Sequence, residues 1–186
     1  MKANRLLIAG AVAALSLVAV YGGGDSAYVG GEINKRFIGI EGSYVGVEGV
    51  TLTDPSANTE GGSLGLRLGA QYNEWRAMIV AEFMKGINSD PDYDRVFLQL
   101  DYFFLQDMEI ETAGTANPYV GLSGGWIRYE PTGMSDTTGF TYGAQAGCTF
   151  TLSDKVDLDV GVRYSWVTEN EVDGIAAATI GLHYNY

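Results

Sequence analysis

Hydrophobic and polar residues alternate strictly from Gly139 to Val167. Up to Leu152, the even-numbered positions are aromatic, aliphatic or small apolar residues, and the odd-numbered positions are polar residues or glycine. The same alternation resumes after a polar triplet, residues 153–155. A period of two that is sustained over this length predicts β-strands and excludes a helix. The stretch is therefore predicted to be one long β-hairpin.

The triplet Ser153-Asp154-Lys155 predicts the register of this hairpin. As a three-residue turn it places Leu152 opposite Val156, so that the two apolar rows share one face. The same register predicts three further cross-strand pairs: Cys148 with Val160, Gly147 with Gly161, and Gln145 with Arg163. The hairpin thus has one apolar face and one face of small and polar residues.

The rest of the chain repeats this pattern, which predicts eight antiparallel strands in all. The strands outside the hairpin are Phe37–Val47, Leu64–Tyr72, Trp75–Phe83, Val96–Phe104, Pro118–Trp126 and a last strand that runs to Tyr186. Asn73-Glu74 is predicted to be a two-residue turn. The other connections are predicted to be polar loops at 49–62, 85–94, 106–117, 130–138 and 169–173. Long loops and tight turns broadly alternate, as in barrels that cross a membrane.

The alternation alone does not decide which face meets water, but three features favour an apolar exterior. Lysine is absent from the middle of the predicted strands. The polar rows combine small residues with arginines and carboxylates, which suits the narrow interior of an eight-stranded barrel. Aromatic residues gather near strand ends, as in the girdles of membrane barrels. The predicted girdle residues are Tyr72, Trp75, Trp126, Tyr142 and Trp166. The alternative is a soluble periplasmic β-barrel that binds an apolar ligand inside.

Length, charge and the first residues complete the domain organisation. The 186 residues are enough for one domain. Residues 1–27 combine a basic start with an apolar run of the length of an export signal, residues 28–36 form a lead-in, and residues 37–186 form the barrel. A net charge of −12 argues against nucleic-acid binding. The single Cys148 excludes an internal disulfide bond and is predicted to be a packing residue.

The last strand carries the most specific pattern in the chain. Alternating apolar residues close on an aromatic residue, in the row Ile180, Leu182, Tyr184 and Tyr186. With the eight predicted strands, this pattern resembles the OmpA-type family of eight-stranded outer-membrane β-barrels, whose last residue is usually Phe. The resemblance covers residues 37–186. It implies a closed, antiparallel, up-and-down barrel in the bacterial outer membrane, without the peptidoglycan-binding domain that many relatives add.

The resemblance also implies partners. Lipid and lipopolysaccharide of the outer membrane are expected around the barrel, and the outer-membrane assembly machinery is expected to read the Ile180–Tyr186 row. The barrel is expected to be a monomer. Its role is expected to be structural or to involve surface interactions. Nothing in the loops at 49–62, 85–94 and 130–138 identifies a ligand.

Charged residues on the polar rows predict a plugged lumen. The predicted set is Glu41, Arg67, Arg76, Glu82, Asp101, Asp157, Asp159, Arg163 and His183, with Arg95 and Arg128 near strand ends. The Asn73-Glu74 turn places Arg67 opposite Val80 and diagonal to Glu82, within reach of long side chains. Because buried charges persist when they are paired, we expect ion pairs that fill the barrel. A narrow, gated ion channel is the alternative function.

Catalytic and metal sites are not predicted. Some barrels of this architecture are lipid-modifying enzymes, but His183 is the sole histidine and no spacing joins it to Ser123 or Ser165 on the inner rows. The run Asp90-Pro91-Asp92-Tyr93-Asp94 resembles a calcium loop, yet Arg95 occupies the position that requires glycine and Asp101 the position of the usual glutamate. No catalytic residue, metal ion or cofactor is therefore expected.

Overall fold

The computed structural model of the protein describes residues 35–48, 59–86, 92–110, 114–130, 137–168 and 174–186. The predicted signal peptide, 1–27, lies outside these residues. The described chain forms nine strands: β1 (Lys35–Glu48), β2 (Thr59–Tyr72), β3 (Trp75–Gly86), β4 (Asp92–Phe103), β5 (Met108–Ile110), β6 (Gly114–Glu130), β7 (Thr137–Ser153), β8 (Val156–Val167) and β9 (Gly174–Asn185). It contains no helix long and apolar enough to cross a membrane.

Eight of these strands form a closed wall. Neighbouring strands pair antiparallel in the order β4-β3-β2-β1-β9-β8-β7-β6, and β4 also pairs with β6, which closes the ring. The short β5 pairs with β6 beside the wall. Closure leaves the wall strands no free edge, which a sheet surrounded by lipid requires. The predicted fold class, an eight-stranded up-and-down barrel, is confirmed.

The register at the two tight turns is largely as predicted. Tyr72 lies opposite Trp75 across the two-residue turn, in which Asn73 has φ 49°, a left-handed conformation that asparagine tolerates. In the β7–β8 hairpin, Cys148 lies opposite Val160 as expected. The prediction that Leu152 faces Val156 is wrong, because Ser153 pairs with Val156 and Leu152 is the extra residue of a β-bulge.

The two faces of the wall have the polarity of a membrane barrel. On β2, Leu66 is 58% exposed on the outside, whereas Arg67 is 2% exposed in the lumen. On β8, Val160 is 42% exposed and Asp159 is completely buried. The apolar rows therefore face outward along the greater part of each strand. The alternative of a soluble barrel with an apolar interior is wrong, because its packing would require the opposite orientation.

The polarity of the two faces reverses near the loop side of the barrel, the end at which β1 finishes and β2 begins. The lumen is filled there by an apolar cluster, which we call the loop-side seal: Val45, Val47, Met84, Tyr93, Ile127, Ile175 and Ala177. The outer surface at the same end carries the exposed Glu60, Lys85 and Asp92. An apolar interior with a polar exterior is the arrangement of a protein in water. The strand ends on this side therefore extend beyond the apolar belt.

This reversal explains why the strands are longer than predicted. The strands β2, β3, β4, β6 and β7 continue into the predicted loops 49–62, 85–94 and 130–138. Apolar and polar residues still alternate in these extensions, but here the apolar side chains point into the lumen and the polar side chains point outward. The predicted polar link at 106–117 is also shorter than expected, because Met108–Ile110 pairs with residues 114–116 as a hairpin.

Candidate functional site in the barrel lumen

The middle of the lumen holds one continuous row of ion pairs, which we call the lumen ion chain. It contains four arginines and four carboxylates in strict alternation, and none of these side chains is more than 3% exposed. The order is Arg95–Glu82 (2.7 Å), Glu82–Arg163 (2.8 Å), Arg163–Glu41 (3.0 Å), Glu41–Arg67, Arg67–Asp159 (2.9 Å), Asp159–Arg76 (2.9 Å) and Arg76–Asp101 (2.9 Å). The formal charges of the chain sum to zero.

Strand register produces part of this chain, and closure of the barrel produces the rest. On β3 and β4, Arg76 lies directly opposite Asp101, so their contact follows from one hairpin. The Arg67–Asp159 pair joins β2 to β8 across the lumen, over a sequence separation of 92 residues. A glycine on the wall leaves room for such crossings: a Cβ added to Gly147 would lie 2.5 Å from the Tyr119 hydroxyl.

Asp159 accepts hydrogen bonds from four different side chains, more than any other carboxylate of the lumen ion chain. Its oxygens accept hydrogen bonds from Arg67 Nη1 (2.9 Å), Arg76 Nη1 (2.9 Å), the Tyr119 hydroxyl (3.0 Å) and the Thr149 hydroxyl (3.0 Å). Charge-assisted bonds of this length are the strong class of protein hydrogen bonds. They offset the cost of burying a carboxylate away from water. Asp159, on β8, is therefore bonded to side chains of four other strands, β2, β3, β6 and β7.

Asp101 is the last member of the lumen ion chain on the turn side of the barrel, which is the end that carries the Asn73-Glu74 turn. It accepts hydrogen bonds from Arg76 Nε (2.9 Å), Gln145 Nε2 (2.9 Å) and Gln99 Nε2 (3.1 Å). At the other end, Tyr93 donates to Glu82 (2.9 Å) and belongs to the loop-side seal. Both ends of the ion chain are thus closed by protein groups.

Aromatic rings fill the space beside the guanidinium groups. The Arg76 guanidinium lies 4.5 Å from the ring centre of Tyr119 and 5.0 Å from that of Phe103. Phe97 contacts both Arg163 (4.6 Å) and Arg95 (4.8 Å). Cations over aromatic faces gain electrostatic energy as well as packing. The lumen is therefore occupied by bonded side chains at this level.

Seven of the predicted charged lumen residues lie in the ion chain, but one predicted pairing is wrong. Arg67 and Glu82 do not bond to each other: Arg67 binds Glu41 and Asp159, and Glu82 binds Arg95 and Arg163. The prediction considered only the diagonal reach along one hairpin. The closed barrel brings other strands nearer, so each side chain bonds across the lumen.

The two remaining predicted residues lie next to the chain. Asp157 is buried at the turn side, where Asn185 Nδ2 (2.9 Å) and Lys35 Nζ (3.5 Å) donate to it. His183 stacks on Phe37 with ring centres 4.5 Å apart. Its Nε2 lies 3.0 Å from Arg67 Nη1, and since a guanidinium only donates, Nε2 accepts this bond.

Sequence reasoning placed Arg95 near a strand end, yet Arg95 is a full member of the chain. The sequence pattern did not identify four polar residues that donate hydrogen bonds to the carboxylates: Tyr119, Gln99, Gln145 and Thr149. The signal that could have identified them is their position on the inner rows of β4, β6 and β7. Arg128, by contrast, shares the outer row of Trp126 and pairs with Asp94 near the loop side.

The described residues do not assemble a catalytic triad or a metal site. Ser165 accepts a hydrogen bond from Arg95 Nη1 (3.3 Å), whereas the contacts found for His183 are with Arg67 and Phe37. No three His, Cys, Asp or Glu side chains in the described ranges converge as metal ligands. Asp90, the start of the calcium-like run, lies outside those ranges.

The predicted girdle residues all face outward. Tyr72 and Trp75 flank the Asn73-Glu74 turn, and Trp75 contacts Tyr102 with ring centres 5.0 Å apart. Toward the loop side, Trp126 contacts Phe140, and Tyr142 stacks on Trp166. The row of the last strand also faces outward and consists of Ile180, Leu182, Tyr184 and Tyr186. Two aromatic levels therefore bound an apolar belt, as in membrane barrels.

Comparisons with known proteins agree on this fold. No protein-family profile matches the sequence, and no curated protein matches it. Several solved structures have a similar fold, including the following three. Neisserial surface protein A is 18% identical with a TM-score of 0.66, over 81% of this chain and 97% of that one. Outer membrane protein H of P. aeruginosa is 17% identical with a TM-score of 0.57, over 82% and 99%.

The third structure is Ail, the attachment invasion locus protein of Yersinia pestis, which is 16% identical with a TM-score of 0.51, over 83% of this chain and 100% of that one. At these identities the likeness concerns the fold. It agrees with the predicted location in the bacterial outer membrane and with the apolar belt of the wall. The chain therefore has the eight-stranded, up-and-down fold of outer-membrane β-barrels, as its resemblance to the OmpA-type family implied.

Proposed function

We propose that the protein is a non-enzymatic outer-membrane barrel with a structural or surface-interaction role, and that its lumen does not conduct ions. One observation carries the closed lumen: the alternating chain of eight buried charges, whose members are all bonded within the protein. An eight-stranded barrel has an interior just wide enough for side chains. An ion that entered would have to replace several charge-assisted bonds at once, so the chain acts as a plug.

The loop-side seal supports the same conclusion. Val45 and Ile175 are 0% and 1% exposed, and they lie between the ion chain and the loop-side mouth. An ion crossing this layer would lose its hydration without gaining a protein ligand. The lumen is thus closed by two layers of different chemistry, one charged and one apolar.

We expect purified protein in planar bilayers to show no steady conductance. The measurement is single-channel current under applied voltage, with Lys155→Ala, a substitution in an exposed turn, as the matched control. The contrary result would be steady wild-type conductance that Arg67→Ala or Glu82→Ala abolishes, while Lys155→Ala leaves it unchanged. That result would favour the alternative, a narrow channel gated by rearranged ion pairs.

The interaction role is proposed for the loop side of the barrel. The exterior there is polar and carries the exposed Glu60, Lys85 and Asp92. Two proteins of similar fold are named a surface protein and an attachment protein, which supports a role at the cell surface. Deleting the segments 49–58, 87–91 and 131–136 in turn, while monitoring binding of whole cells to host surfaces, tests this role. Unchanged binding by all three deletion variants would contradict it.

The proposed partners of the wall are outer-membrane lipid and lipopolysaccharide, with the barrel as a monomer. The outward row of β9 is proposed to be the segment that the assembly machinery reads. Its side chains Ile180, Leu182 and Tyr184 are all exposed, so another strand could contact them before the barrel closes. Crosslinking of the nascent barrel from Leu182 to assembly components, compared with crosslinking from the inward His183, tests this assignment. Equal crosslinking from both positions would contradict it.

A further inference from the structure

The turn side of the barrel carries a small apolar projection, formed by residues 104–110 and 114–116, which we call the turn-side flap. Residues 104–110 are all exposed, and four of them are apolar: Phe104 (50%), Leu105 (49%), Met108 (45%) and Ile110 (38%). Within it, β5 pairs with the first residues of β6, which themselves pair with β7. Together with the adjoining end of β7, the flap forms a three-stranded extension of the wall beyond the end of β4.

Strand register assigns the two faces of the flap. Met108 lies opposite Ala116, which lies opposite Phe150. Ala116 belongs to the even-numbered row of β6, and that row includes the outward-facing Val120 and Leu122 farther along the strand. Because successive side chains alternate between faces, Met108 and Ile110 lie on the side of the lipid-facing row.

The opposite face of the flap is polar. Glu109 lies opposite Thr115, and Thr115 lies opposite Thr151. All three residues fall on the odd-numbered rows, which face the lumen within the wall. The flap is thus amphipathic, and its apolar face is continuous with the outer surface of the barrel.

The two ends of the barrel differ in the polarity of the outer surface. At the loop side the outer surface becomes polar, with Glu60, Lys85 and Asp92 exposed, and the apolar residues move inside. At the turn side, the outer face of β5 and the adjoining end of β6 remains apolar through Met108, Ile110 and Ala116, whereas the tight turns carry the exposed Asn73, Glu74, Asp154 and Lys155.

We propose that the apolar face of the turn-side flap rests in the interfacial layer of the phospholipid leaflet on the side of the short turns. The flap adjoins the lipid-facing belt without a polar break, so the lipid that surrounds the belt also covers the flap. Methionine, leucine, isoleucine and phenylalanine side chains suit the boundary between headgroups and acyl chains. Glu109, on the opposite face, remains in water. The proposal rests on the membrane-spanning wall and adds a second membrane contact to it.

Tryptophan quenching in vesicles tests this placement. The parent protein carries Trp75→Phe, Trp126→Phe and Trp166→Phe, which removes the native signal, and single tryptophans are then introduced. Met108→Trp and Ile110→Trp probe the apolar face, Glu109→Trp probes the opposite face, and Leu66→Trp probes the middle of the belt. Each variant is reconstituted in vesicles of brominated phosphatidylcholine and titrated separately with acrylamide. Heat-dependent gel migration confirms that each barrel is folded, and Phe104→Trp, which keeps an aromatic ring, replaces a flap variant that does not fold.

We expect brominated lipid to quench Met108→Trp and Ile110→Trp nearly as strongly as Leu66→Trp, while acrylamide quenches them weakly. Glu109→Trp should show the reverse. Flap tryptophans as accessible to acrylamide as Glu109→Trp would overturn the proposal and place the flap in water. Flap tryptophans that neither agent quenches would also overturn it, because protein would then cover the face. An unquenched Leu66→Trp would instead overturn the membrane-spanning wall itself, which separates the two failures.

Discussion

Replacing Asp159 with alanine should lower the free energy of unfolding by about 3–5 kcal/mol, the usual cost of removing one partner from a buried ion pair. The carboxylate accepts bonds from Arg67, Arg76, Tyr119 and Thr149, so its loss leaves two buried guanidinium groups short of a counter-charge. Urea unfolding of the barrel in lipid vesicles, followed by tryptophan fluorescence, measures the change. Asp154→Ala, which removes an exposed carboxylate from the β7–β8 turn, is the matched control and should be nearly neutral.

The alternating order of the ion chain makes a second variant informative. Arg67 and Asp159 bond to each other, so removing both, as Arg67→Met with Asp159→Ala, takes out one ion pair whole and spares the cost of leaving either partner without the other. This double variant should be more stable than the sum of the two single changes predicts, by about 0.5–3 kcal/mol. Arg95→Met with Asp159→Ala also leaves every remaining charge with a partner, but it should show no such recovery, because Arg95 bonds to Glu82 and makes no ion pair with Asp159. Equal coupling in both double variants would contradict a chain of local pairs.

The second large effect is expected on the outside of the wall. Leu66→Arg should destabilise the barrel by about 2–4 kcal/mol, since Leu66 is exposed to lipid in the middle of the apolar belt. Tyr72→Arg, on the same row of β2 but beside the tight turn, should cost only about 0–1 kcal/mol near the interface. Refolding into vesicles at graded urea concentrations measures both values.

The contrast between these two positions is the test of the belt. A wall surrounded by water would tolerate arginine equally at Leu66 and Tyr72. Lys85 provides an internal reference, because it already presents a cation on the outer surface at the loop side of β3. Lys85→Arg should therefore leave stability unchanged. Similar losses at Leu66, Tyr72 and Lys85 would contradict a lipid-facing belt.

The two predictions concern residues that stabilise the barrel, and these residues are distinct from those of the proposed surface interaction. The ion chain and its aromatic neighbours fix the lumen, and the apolar belt fixes the wall in the membrane. The residues of both layers lie on the strands of the wall. In the proposed role, surface interaction is assigned to the segments between these strands on the loop side.

The sequence alone determined the features that depend on neighbours along the chain. A period of two predicted the strands, and the absence of lysine from their middles predicted which face meets lipid. The Asn73-Glu74 turn fixed Arg67 opposite Val80, because a two-residue turn leaves no freedom in the register of its hairpin. Burial of the predicted charges on the inner rows followed from the same alternation.

Only the tertiary structure decided which charges meet across the lumen. Arg67 bonds to Asp159 on β8 and not to Glu82 on the adjacent β3, since the offset of the strands around the closed ring sets the heights at which distant rows face each other. The loop-side seal likewise depends on where the strands leave the membrane. On β1 the apolar row passes from the even-numbered residues up to Tyr44 to the odd-numbered Val45 and Val47. This shift marks a change of side, but the height of the membrane boundary along the wall follows from the closed barrel.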